Sequence, residues 1–118
     1  MSLLSRRKGR AWEQEVARIL RPLFGDGVRR GWQSRSGKDA SDIEGTPYHI
    51  ECKHGKAVSV WAAMRQAVEA SNGRMPVVVA KLDRSEPLVV MRLSDWVREQ
   101  EERLPKAVVN ALSKEEQA

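Results

Sequence analysis

The chain has one cysteine, one phenylalanine and one tyrosine in 118 residues, and no long apolar run or glycine/serine-rich stretch. Each shortage excludes something. A lone thiol, Cys52, can form neither an internal disulfide nor a multi-thiolate zinc site, which suits a reducing compartment and makes a cytoplasmic location the expectation. Nothing nears the roughly 18 apolar residues of a bilayer crossing. Arg6, Arg7 and Lys8 come before a signal-peptide core could form, so neither a membrane span nor secretion is expected. Without repeats, low-complexity tracts or linkers there is no point at which to divide the chain. One domain over residues 1–118 is therefore expected, with a core at about 6–93 and a helical extension at about 94–118.

What the chain does have is positive charge. Lysine and arginine number 21 against 16 acids, for a net charge of +5, and hydrophobic residues at 41% are too many for a disordered tail. The excess is uneven: 14 basic and 8 acidic residues up to Arg74, then 7 and 8. A polyanionic partner such as DNA is one reading, and a basic surface that only keeps the protein soluble is the other.

Local pattern places the elements. Residues 9–23 carry Ala11, Trp12, Val16, Ile19, Leu20 and Leu23 at helical spacing, with Glu13 off that stripe. Gly25 and Gly27 end the helix; 28–34 suits a short strand and 35–40 a polar loop. Segments 41–44 and 48–53 read as a hairpin around Gly45, Thr46 and Pro47. Residues 57–70 predict a helix with Val60, Trp61, Met64 and Val68 on one face, stopped by Asn72 and Gly73. Segment 76–82 is apolar apart from Lys81, as in a strand covered on both sides, and 88–93 makes another strand. Ser94 is placed to cap a helix to about 104, and Pro105 to open a last one. The order αβββαββαα implies an α/β fold, a central mixed sheet flanked by helices. Trp12, Trp61 and Trp96 are expected in the core or an interface, and Trp32, among Arg29, Arg30 and Arg35, in the core or stacked on a base.

The informative residues are Asp42, Glu51 and Lys53. In an antiparallel hairpin centred between Thr46 and Pro47, Asp42 lies opposite Glu51, while Glu51 and Lys53 share a face by strand alternation. Ile50 and Cys52 then point the other way, into the core. Two carboxylates with Cβ atoms about 5 Å apart repel each other unless a cation lies between them. Few ligands, all oxygen, are what Mg²⁺ prefers, and a nearby lysine can orient a water or stabilise charge on a phosphate. An ordinary exposed hairpin would give the same pattern.

The string from Asp42 to Lys53 resembles the PD-(D/E)XK nuclease motif, and its surroundings resemble archaeal-type Holliday junction resolvases. Arg7, Lys8, Gly9, Arg10, Ala11, Trp12 and Glu13 are similar to the start of that family's first helix. Ile50, Glu51, Cys52 and Lys53 are similar to its catalytic strand, Gln66 to a glutamine on its next helix, and Gly73 to Leu82 to its following strand. The resemblance implies a restriction-endonuclease-like fold and catalytic residues Glu13, Asp42, Glu51, Lys53 and Gln66. It implies metal ligation by Glu13, Asp42, Glu51 and the Cys52 carbonyl, with Mg²⁺ as cofactor and Mn²⁺ as substitute. Lys53 would position the attacking water, and Gln66 would support lysine or substrate. It also implies a homodimer that cuts DNA, in particular branched DNA, leaving 5′-phosphate and 3′-hydroxyl ends. DNA contacts are expected from Arg6, Arg7, Lys8, Arg10, Arg35, Lys38, His54 and Lys56. Ser34 or Ser36 is a loose match to a serine near the site. His49 and His54 have no expected catalytic part, and Cys52 is expected to be a small apolar filler. The hairpin is shorter than in the resolvases, and the helices after Leu93 have no counterpart there. A nuclease of phage or restriction type acting on linear duplex or flaps, and a non-catalytic DNA-binding module, therefore remain alternatives.

Overall fold

In the computed structural model, which describes residues 3–31 and 41–117, the elements are α1 (Leu3–Phe24), β1 (Arg29–Arg30), β2 (Ile43–Glu44), β3 (Tyr48–Gly55), α2 (Val60–Ala70), β4 (Met75–Leu82), β5 (Leu88–Val90), α3 (Leu93–Arg103) and α4 (Lys106–Gln117). This is the αβββαββαα order of the sequence reading. The five strands form one mixed sheet in the order β1–β2–β3–β4–β5. Only β3 and β4 run parallel, joined by α2; the other neighbours are antiparallel. The architecture is that of a small α/β protein with a restriction-endonuclease-like fold.

Strand alternation divides the core into two layers. On one face Ile43, Ile50, Val77 and Val79 pack against Trp12, Val16 and Ala17 of α1, with Cys52 at the margin. On the other, Val78 and Ala80 pack against Ala63 and Ala67 of α2. The run from Pro76 to Ala80 is buried throughout because β4 has a helix on each side, as its continuous apolarity predicted. Trp12 also anchors α1 by donating its indole N–H to the Val79 carbonyl at 3.3 Å.

Several local expectations are corrected. Helix α1 begins at Leu3, so Arg6, Arg7, Lys8 and Arg10 are helical. Its buried stripe is Trp12, Val16 and Ala17, while Ile19 and Leu23 are exposed. Helix α2 buries its alanines, which let it approach the sheet closely, and leaves Trp61 77% exposed; Trp96 on α3 is also exposed. Ser59 caps α2 by accepting the Ala62 N–H. Helix α3 starts one residue before Ser94, with Arg92 at its N-cap position and the Arg92 guanidinium on buried Asp95 at 2.8 Å. The expected strand at 28–34 is seen only as β1; Trp32, Ser34, Arg35, Ser36 and Lys38 lie outside the described residues.

Gly45 has a reason to be glycine. Its φ of +89° favours a residue without Cβ, and an added Cβ would strike the Gly27 carbonyl. Gly31 is similarly constrained, since a Cβ there would meet the Ser41 carbonyl oxygen.

Candidate active site

The hairpin register is the expected one at Ile43, which pairs with Ile50; the Asp42 backbone N–H also goes to the Ile50 carbonyl, at 2.8 Å. Regular β2 nevertheless begins at Ile43, and side chains supply further bonds from the two preceding residues to β3. Ser41 Oγ accepts the Ile50 N–H at 2.9 Å, and Asp42 Oδ2 accepts the Cys52 N–H at 2.8 Å. Strand N–H groups lie in the plane of the sheet, so the Asp42 carboxylate sits at the edge of β3 rather than standing over its face. It extends the ladder by one charge-assisted bond. This corrects the picture of two carboxylates simply facing each other.

Glu51 is 5% exposed, between β2 and β4, on the face that also carries His49 and Lys53. Its Oε1 lies 3.1 Å from His49 Nε2. His49, for which the sequence offered no partner, is therefore bound to the central acid. The Lys53 ammonium donates to Gln66 Oε1 on α2 at 3.2 Å, joining two residues thirteen apart in sequence. Both line a cleft of about 280 Å³ with His54, Ala57, Val58, Ser59, Ala62 and Ala63.

Glu13 comes from α1, where its side chain is 12% exposed. Burial raises its pKa above the ordinary carboxylate range, the Arg30 guanidinium opposes that rise, and the negative charge of Glu51 adds to it. Arg30 Nε stands 3.3 Å from Glu13 Oε1. This contact escaped sequence reasoning, because an arginine on a two-residue strand seventeen positions away carries no pattern of its own. Arg10, one turn before Glu13, also favours its ionised form.

Cys52 is the point about which the acids gather. Its thiol pKa is pushed well up, chiefly by burial and then by the charges of Asp42, Glu13 and Glu51, with Lys53 opposing. Such a thiol is unreactive, as a small packing residue should be. Among the described residues no three His, Cys, Asp or Glu side chains group closely enough to hold one ion. The donor chemistry still fits a hard divalent cation. The available donors are carboxylate oxygens, Mg²⁺ needs only one or two of them because it keeps waters, and Glu13 and Glu51 already repel each other.

The remaining expected contacts are scattered. Arg6, Arg7, Lys8, Arg10 and Lys56 are exposed. His54 Nε2 lies 3.3 Å from Asp83 Oδ1, and its ring lies 5.9 Å from that of Trp12. A larger groove of about 650 Å³ runs between β5 and α3, lined by Leu88, Val89, Val90, Trp96 and Glu99, and includes none of Glu13, Asp42 and Glu51. Among the described residues no helix is long and apolar enough to cross a membrane.

Residues 4–117 match the protein family described as "Phage putative PDDEXK endonuclease". No curated protein and no solved structure matches the chain. Nucleases of the PD-(D/E)XK superfamily generally use divalent metals. Because the match runs from the first helix to the last rather than over the acidic strand alone, the chain as a whole belongs to the phage PDDEXK endonuclease family.

Proposed function

We propose that this protein is a Mg²⁺-dependent DNA endonuclease of one domain whose reaction centre is the edge of β3. The observation that carries the reading is the bond from the Cys52 N–H to Asp42, which docks the motif's first acid onto the strand bearing Glu51 and Lys53. Glu13, Asp42, Glu51 and the Cys52 carbonyl would hold the ion, which when bound offsets their mutual repulsion and the charge on the scissile phosphate.

Lys53, steadied by Gln66 and lining the cleft, brings positive charge to the phosphate and orients the attacking water. The water oxygen bonds to phosphorus as the bond to the 3′ oxygen breaks. One proton leaves the water and one joins the departing oxygen, giving 5′-phosphate and 3′-hydroxyl ends. Exposed Arg6, Arg7, Lys8 and Arg10 on α1, with His54 near the end of β3 and Lys56 just after it, carry the DNA backbone; Arg35 and Lys38 belong to the same proposal from outside the described residues. The enzyme acts as a homodimer on branched DNA, the extension at about 94–118 supplying exposed Trp96 and Val97 for contact between copies.

A second reading, a phage-type or restriction-like nuclease, keeps the centre and changes the substrate to linear duplex or flap DNA; the matched family agrees with the phage type and names no substrate. Cleavage of a four-way junction, a flap and a linear duplex, each at equal concentration, tests both. The first reading expects the junction to be cut fastest and a chelator to stop all cutting. Equal or faster cutting of linear duplex transfers support to the second, and no cleavage in Mg²⁺ or Mn²⁺ removes both.

A further inference from the structure

His49 is fully buried on β3, two residues before Glu51, and the alternation of the strand puts both side chains on one face. Its Nε2 is 3.1 Å from Glu51 Oε1, while among the described residues Nδ1 has no hydrogen-bond partner. A carboxylate accepts only, so Nε2 is assigned as the donor, and the bond to Glu51 is the hydrogen bond this ring makes among the described residues. A side chain chosen for packing alone could be leucine or phenylalanine here without leaving a buried nitrogen unmet. What the imidazole adds is one directed bond to the central acid.

We infer that His49 is a positioning residue: through its Nε2–H it fixes the rotamer of Glu51, holding one carboxylate oxygen and presenting the other to the divalent cation. The inference rests on the nuclease reading above. Outer partners of ligating carboxylates orient them in just this way, and their loss typically weakens metal binding by about 10- to 100-fold. His49 does not touch the substrate or the ion.

Mn²⁺ titration followed by electron paramagnetic resonance, without DNA, tests this directly, with thermal unfolding in chelator as a check on folding. His49→Leu, similar in bulk and without a donor, should weaken Mn²⁺ binding by about 10- to 100-fold. His49→Gln places an amide N–H near the Nε2 position and should bind within about threefold of the parent, whereas His49→Asn, one bond shorter, should behave like leucine. If the leucine variant does not fold, the glutamine and asparagine variants decide. Parent-like affinity in His49→Asn or His49→Leu, or equal loss in all three, overturns the inference while leaving the nuclease reading in place. A parent protein that takes up no Mn²⁺ removes that reading, and the inference with it.

Discussion

Glu13 pairs with Arg30 and still holds its proton more tightly than a solvated carboxyl, because burial outweighs the guanidinium. A carboxyl whose folded-state pKa lies above its unfolded value makes its stability contribution at low pH. That contribution is lost as pH rises from the ordinary carboxylate range through the raised folded value. Glu13→Gln should therefore raise the melting temperature at neutral pH in chelator by a few degrees, and the gain should vanish below the ordinary carboxylate range. A variant less stable than its parent at neutral pH would mean that Arg30 dominates. Asp42 behaves differently, since its Oδ2 satisfies a backbone N–H. Asp42→Ala should cost about 1–3 kcal/mol in denaturant unfolding, and Asp42→Asn, which keeps an acceptor, less.

At the scale of elements, Gly31 just after β1 and Gly45 between β2 and β3 carry the tightest constraints among the described glycines. Gly31→Ala and Gly45→Ala each push a methyl into backbone and should destabilise by about 1–3 kcal/mol, whereas Gly9→Ala, with open space around it on α1, should stabilise by up to about 1 kcal/mol. Equal effects at all three sites, read by thermal unfolding, would contradict the close packing of this hairpin. Much of this layer was legible in the sequence. The short apolar run from Pro76 to Ala80 gave β4, the glycine and proline cluster gave the hairpin, and symmetry about it gave the register that Ile43 and Ile50 keep. Less legible was which face of a helix is buried. Spacing puts Trp61 in the core or an interface, and the core half fails because small alanines bring α2 close to the sheet and turn the tryptophan outward. Side chains that replace backbone in a ladder, as Ser41 and Asp42 do, follow no periodicity, and neither does the His49 contact.

Across the whole molecule, charge and shape separate. The first 74 residues hold nearly twice as many basic as acidic side chains, and the first turns of α1 carry four of the basic ones ahead of Glu13. Neutralising Arg6, Arg7, Lys8 and Arg10 together should weaken DNA binding and flatten the slope of log affinity against log salt by up to about 0.9 per lost duplex phosphate contact. An unchanged slope would place the DNA elsewhere. Helix α3 is tied to the core through Tyr48, whose phenol pKa is raised by burial and by the carboxylate of Glu99, its hydrogen-bond partner. The central claim is that the edge of β3 is a reaction centre, and single-turnover cleavage by Lys53→Ala in Mg²⁺, with DNA affinity measured alongside, tests it most directly. The expected result is a cleavage rate lower by at least about 100-fold with affinity within about threefold of the parent. Cleavage at the parent rate by the lysine variant would contradict it.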